Sequence, residues 1–224
     1  MIPLRSSERV YSRTVVTGSL IAINTIIFLY QNTLSTVSYY RLDQFVRTWG
    51  IVPDGLHLVT LLTSMFLHGG WLHLLGNMLF LWVFGRNLED LLGGARFLVF
   101  YLVCGVASGL AQVLANTSAP NPTIGASGAI AGVMGAYLIK FPRTQIDTLV
   151  LLFVFFTRLA IPAPFYLLLW FGMQFLNGLE SIGERNYTGG GVAVFAHIGG
   201  FIAGLLLIRL FPSRQRWRHW YEES

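Results

Sequence analysis

Charge is what this sequence has least of. Only 11% of its 224 residues are Asp, Glu, Lys or Arg, less than half of the roughly 25% that clothes an ordinary soluble domain. A water-soluble cytoplasmic globule is thereby excluded. With 54% hydrophobic residues, the chain is also the opposite of the weakly hydrophobic, highly charged composition of disordered segments. A single cysteine, Cys104, leaves no intramolecular disulfide framework. Acidic residues are scarcer than basic ones, 10 against 15, and the surplus of positive charge fits an anionic partner only if its placement does. What is abundant is apolar side chain, at a mean hydropathy of +0.61. That composition is expected of an all-α, multi-spanning membrane protein.

A helix crosses a hydrocarbon core of roughly 30 Å with about 20 mainly apolar residues. Six such runs are predicted, at about 14–30, 69–84, 96–115, 127–141, 161–176 and 192–211. The apolar run 148–156 is open between an extension of the fifth span and an interfacial segment, with Arg158, Pro162 and Pro164 favouring a break. The first span follows Arg5, Arg9 and Arg13 as a signal peptide would. Its apolar run is longer than the usual h-region and Gln31-Asn32-Thr33 is no small-residue cleavage site, so it reads as a retained anchor. The segment 31–67 mixes Tyr39, Tyr40, Phe45 and Trp49 with Arg41, Asp43 and Arg47, as an interfacial first outer loop does. No repeat or linker divides the chain, and residues 1–224 are read as one domain.

Basic residues accumulate in cytoplasmic loops. With the N-terminus inside, the inner segments hold Arg5, Arg9, Arg13, Arg86, Arg96, Lys140, Arg143, Arg158, Arg209, Arg214, Arg216 and Arg218, twelve of the fifteen. The positive charge is thus a topology signal, with both ends cytoplasmic in a plasma membrane. Nucleic-acid binding would require a basic patch with stacking aromatics, so none is expected. The basic tail after Arg214 is expected to meet anionic membrane lipids.

Polar groups inside a membrane are costly, and their presence there is by default a mark of function. Three places qualify: His68-Gly69-Gly70-Trp71-Leu72-His73-Leu74-Leu75-Gly76-Asn77, then Gly125-Ala126-Ser127-Gly128, then Ala196-His197-Ile198-Gly199-Gly200. His73 and Asn77, four apart, share a helix face. At about 1.5 Å per residue, His197 lies roughly 8 Å inside the outer end of its span, and His73 and Asn77 about 6 and 12 Å below theirs. Ser127 starts a short span at the same membrane side. A serine hydroxyl becomes a nucleophile when a neutral histidine takes its proton. The oxyanion that follows needs fixed donors, which Asn77, His73 and the Ser127 N–H can supply.

Taken singly, each of these residues has a plainer reading. Ser127 among small residues, Asn77 and His197 can each serve as helix-packing or interhelical polar groups, and Gly128-x3-Gly132, Gly105-x3-Gly109 and Gly200-x3-Gly204 are packing motifs. His68 reads as structural or interfacial. It is the joint set, a nucleophile, a base and donors at one depth, that packing alone does not explain. The histidines are too few and too poorly accompanied by carboxylates for a metal site. Glu89-Asp90 reads as a solvated loop contact on the inner side.

In their order along the chain, the segment from His68 to Met78, Phe84-Gly85-Arg86-Asn87-Leu88-Glu89, Gly125-Ala126-Ser127-Gly128-Ala129 and Ala196-His197-Ile198-Gly199-Gly200-Phe201 with Gly204 resemble the rhomboid intramembrane serine proteases. The resemblance implies a six-helix bundle of the minimal bacterial type and a Ser127–His197 dyad without an acid. It also implies an oxyanion site of His73, Asn77 and the Ser127 N–H. Gly125 and Gly128 would flank the nucleophile, and Gly200 and Gly204 would let span six pack closely on span four. Neither cofactor nor metal is implied. The substrates would be transmembrane proteins, cut in or near a span. Where some members carry an aromatic residue beneath the histidine ring, this chain has Ala131. A catalytically silent, client-binding relative would be signalled by loss of the serine or the histidine, and both are here. A transporter would show repeated halves and charges near the midplane, which this sequence does not.

Overall fold

The computed structural model describes residues 1–115, 121–152, 155–183 and 193–214. The middle of the loop expected after the third span, the glycine-rich turn 186–191 and the basic tail beyond residue 214 lie outside the described residues. The chain is mainly helical: α1 (Val15–Val37), α2 (Tyr39–Trp49), α3 (Thr60–Thr63), α4 (Trp71–Phe80), α5 (Arg86–Leu92), α6 (Gly94–Ala115), α7 (Ser127–Lys140), α8 (Ala163–Gly183) and α9 (Val194–Leu207). By length and composition α1 and α6 are able to cross a membrane. Thr60–Phe66 and Trp71–Leu92 pass the same test together as a pair bent by 99°, and Ser127–Lys140, Ala163–Leu176 and Val194–Leu210 are shorter apolar helices. The second predicted span therefore starts at Trp71 and runs on to Leu92, through one turn of π-helix at Leu81–Gly85. The predicted outer loop is itself largely helical. Residues 31–37 continue α1, and the amphipathic α2 buries none of its residues.

The all-α expectation is corrected at one place. Ile2–Ser6 (β1), Gln145–Leu152 (β2) and Phe155–Pro162 (β3) form an antiparallel sheet in the order β1-β2-β3. Of the run 148–156, left open by its hydropathy, the described residues 148–152 and 155–156 belong to β2 and β3. Its physical cause is a period of two: Ile146 and Thr148 are buried while Gln145 between the turn and them is exposed, which sets one strand face against the helices. The helix expected as the fifth span, α8, accordingly starts at Ala163, after Pro162, with Pro164 in the first turn where a missing N–H costs no intrahelical bond.

Glu89 and Asp90 require the second correction. Both are buried. The Glu89 carboxylate accepts hydrogen bonds from the Val16 and Thr17 N–H groups at 2.9 and 2.7 Å and from the Thr17 hydroxyl at 2.7 Å. It thus caps the N-terminus of α1 from another helix, where the orphan donors and the helix dipole both favour an anion. Asp90 accepts from the Tyr11 and Ser12 N–H groups at 3.0 and 2.9 Å and from the Ser12 hydroxyl. Proximity to Arg86 in sequence suggested a solvated loop, but the free N–H groups of a helix start are the stronger partner.

Beside this carboxylate pair, burial pushes the Glu8 carboxyl above its ordinary range, the Arg9 N–H opposes the shift, and Asp90 adds to it. A raised folded-state value stabilises the fold fully below the unfolded pKa of about 4.3 and loses that stabilisation as pH rises through the folded value. Glu8→Gln is therefore expected to raise the melting temperature in detergent near pH 7 by about 1–3 °C. Near pH 4 it should leave the melting temperature unchanged. Thermal melts at the two pH values check this.

The core of the bundle is the contact of α7 with α9, made without side chains between the backbones. A Cβ on Gly200 would run into the carbonyl of Gly128, and one on Gly204 into that of Gly132. In the other direction, a Cβ on Gly135 would strike the carbonyl of Phe201. The two small-residue rows thus let the helix axes approach far closer than Leu-lined helices do. Facing them, Cys104 and Ser108 of α6 close the third side.

Candidate active site

Ser127 is the first residue of α7. Its backbone N–H is among the four of a helix start that have no intrahelical acceptor. The close α7–α9 contact carries His197, one turn into α9, to the same end, and Nε2 of His197 lies 2.7 Å from Oγ of Ser127. The start of α9 is held by α6, whose Gln112 side-chain oxygen accepts from the Ala196 N–H at 3.1 Å. The His197 ring is buried. Its Nδ1 lies 2.8 Å from Oε1 of Gln174 on α8, and the Trp170 ring, also on α8, covers it at 5.7 Å between centroids.

The loop before α4 is fixed by a side chain of α1. The Gln31 amide donates to the His68 carbonyl at 3.2 Å and accepts from the His68 N–H at 3.0 Å, so that one glutamine clamps the bend. The His68 ring lies edge-on to that of His73, with centroids 5.1 Å apart. The Gly69 N–H donates to Nδ1 of His73 at 3.3 Å, which leaves the ring proton on Nε2, available for donation. Asn77, one turn further, is buried, and its Nδ2 has no hydrogen-bond partner among the described residues. Such a donor is costly to leave unpaired.

His73 and Asn77 converge on Gly125. A Cβ there would sit 2.7 Å from Nε2 of His73 and 3.7 Å from Nδ2 of Asn77, and its φ of +124° is one that side-chain-bearing residues rarely adopt. Gly125 is anchored by its N–H, which donates to the Ser64 carbonyl at 2.9 Å. Gly128 follows the serine, and a Cβ there would collide with the Ser108 hydroxyl. A small cavity of about 20 Å³ behind Ser127 is lined by Ser64, Ser108 and Thr123 among others. That is roughly the room of one water molecule.

The family model that matches is the Rhomboid domain, over residues 56–214. The chain belongs to the rhomboid family. It is 33% identical to Rhomboid protein 1, mitochondrial, of Saccharomyces cerevisiae over 187 residues, 76% of this chain and 49% of the yeast protein. It is 30% identical to RHOMBOID-like protein 6, mitochondrial, of Arabidopsis thaliana over 181 residues, 79% of this chain and 52% of the other. Over 78 residues, 35% of this chain, it is 44% identical to Rhomboid protease GluP of Bacillus subtilis, covering 15% of that protein. The chain spans about half the length of the first two.

In this rhomboid the residues expected from sequence come together in one group: Ser127 with His197, and His73 with Asn77 around Gly125, with His68 behind them. Sequence reading passes over Gln112 and Gln174, each of which contacts α9. The two glutamines carry the very signal used for the others, a polar side chain inside an apolar run. Ala131 is buried on α7, and the aromatic ring beside His197 is that of Trp170 on α8.

Proposed function

We propose that this rhomboid is an intramembrane serine endopeptidase in which Ser127 is the nucleophile and His197 the general base. The single observation that carries the reading is the 2.7 Å contact between Ser127 Oγ and His197 Nε2 at the buried end of two closely packed helices. Ser127 donates its proton to Nε2 as Oγ attacks a peptide carbonyl, and the resulting oxyanion accepts from Asn77 Nδ2, His73 Nε2–H and the Ser127 N–H. The His197 imidazolium returns its proton to the leaving amine. Water then hydrolyses the acyl-enzyme by the same route in reverse order.

Helix α7 has 14 residues and spans about 21 Å, short of a core of roughly 30 Å. With the Lys140 end at one interface, Ser127 lies below the opposite surface, where water reaches it through a polar recess. Six spans, the basic-rich side in the cytoplasm of a plasma-membrane protein and the recess open to the other side are the topology that the Lys and Arg distribution supports. Substrates are transmembrane proteins whose helices are weakened by Gly or Pro, because only an unwound carbonyl is free to meet the donors. A fluorophosphonate probe tests the proposal on detergent-solubilised protein: it should label Ser127 and fail to do so in His197→Ala. Equal labelling of the two proteins, or labelling that survives Ser127→Ala, would sink it.

A further inference from the structure

Nε2 of His197 serves as a base only if its lone pair, and not the ring proton, faces Ser127. In a neutral imidazole the proton is held by whichever nitrogen has the acceptor. Nδ1 of His197 faces the Gln174 side-chain oxygen at 2.8 Å, and no acidic side chain is bonded to the ring among the described residues. An amide oxygen accepts the Nδ1 proton without adding charge. Gln174 lies on α8, the helix that also covers the ring with Trp170.

We propose that Gln174 is a positioning residue that holds His197 as the Nδ1-protonated tautomer and so aims Nε2 at Ser127. This rests on the protease reading, and it makes α8 part of the catalytic arrangement. Displacing α8 outward removes the Nδ1 acceptor and the ring cover together, so the histidine is set for catalysis only when α8 is docked against α9. The hydrogen bond also strengthens as the ring gains charge in the transition state, which places its effect on kcat and not on KM.

The test uses three full-length proteins: the parent, Gln174→Met, which keeps the length and shape of the side chain without an acceptor, and Gln174→Glu, which keeps an acceptor oxygen at the same reach. Cleavage of a reconstituted single-span substrate should show kcat reduced about 10- to 100-fold in Gln174→Met with KM unchanged, and largely recovered in Gln174→Glu. In parallel, 15N NMR of histidine-labelled protein, assigned with His197→Phe, should find the His197 proton on Nδ1 in the parent and in Gln174→Glu and no longer confined there in Gln174→Met. The NMR arm needs no turnover. A parent that cuts nothing while its tautomer still follows residue 174 overturns the protease reading and leaves this assignment standing. Unchanged kcat in Gln174→Met, or a lowered kcat with an unchanged tautomer, overturns the assignment.

Discussion

Ser127→Ala and His197→Ala are each expected to lower single-turnover cleavage of a reconstituted single-span substrate by about 10⁴- to 10⁶-fold, with the double variant no worse than either single one. The non-additivity is the informative part. A serine without its base and a base without its serine are equally idle, whereas two independent contributions would multiply. Ser127 Oγ is bonded to His197 Nε2, and the α7–α9 contact is made by glycine backbones and not by these two side chains. The melting temperature of Ser127→Ala should therefore stay within about 2 °C of the parent. A double variant slower than both singles by the product of their effects would mean that the two residues do not act as one unit. Activity retained in both would reject the dyad.

That these two residues stood out in the sequence, and the pairing of Gln174 with His197 did not, has a physical reason. Ser127 and His197 sit in short glycine-rich strings, Gly125-Ala126-Ser127-Gly128 and Ala196-His197-Ile198-Gly199-Gly200, because close backbone approach requires glycine around them, and such strings stand out in an apolar span. Gln174 needs no small neighbours. It reaches His197 across the gap between α8 and α9, a distance that no spacing along one helix reports. Glu89 and Asp90 were misread for a related reason: what they bond is the backbone of residues 11 to 17, and backbone donors leave no trace in residue type. The run 148–156 was undecided because it is as long as a fragment of a span, and the pairing of β2 with Ile2–Ser6 is a long-range event. The starts of the six predicted helices were legible to within two residues, but α1, the Trp71–Leu92 helix and α8 run seven or eight residues past the predicted ends, and α2, α3 and the bend at 66–71 were not read, since hydropathy tells where an apolar helix can exist and not where a polar one continues or turns.

Asn77→Ala should reduce kcat by about 10²- to 10³-fold while KM changes little, the loss typical of one oxyanion donor. Its effect on stability has the opposite sign to most buried truncations. Nδ2 of Asn77 is buried with no partner among the described residues, so the folded protein carries a desolvated donor that the substrate's oxyanion satisfies only during reaction. Removing that donor relieves the resting state. Thermal melts of Asn77→Ala in detergent should therefore match or exceed the parent even as cleavage collapses. His73→Ala provides the contrast, because its Nδ1 already accepts from the Gly69 N–H and its ring packs on His68. That variant should lose both activity and thermal stability. If Asn77→Ala instead melts several degrees lower with a proportionate loss of activity, the side chain is a packing group and the oxyanion role passes to His73 and the Ser127 N–H alone. A donor kept unpaired at the expense of stability is what a preorganised site requires, since only an interaction absent from the resting state lowers the barrier.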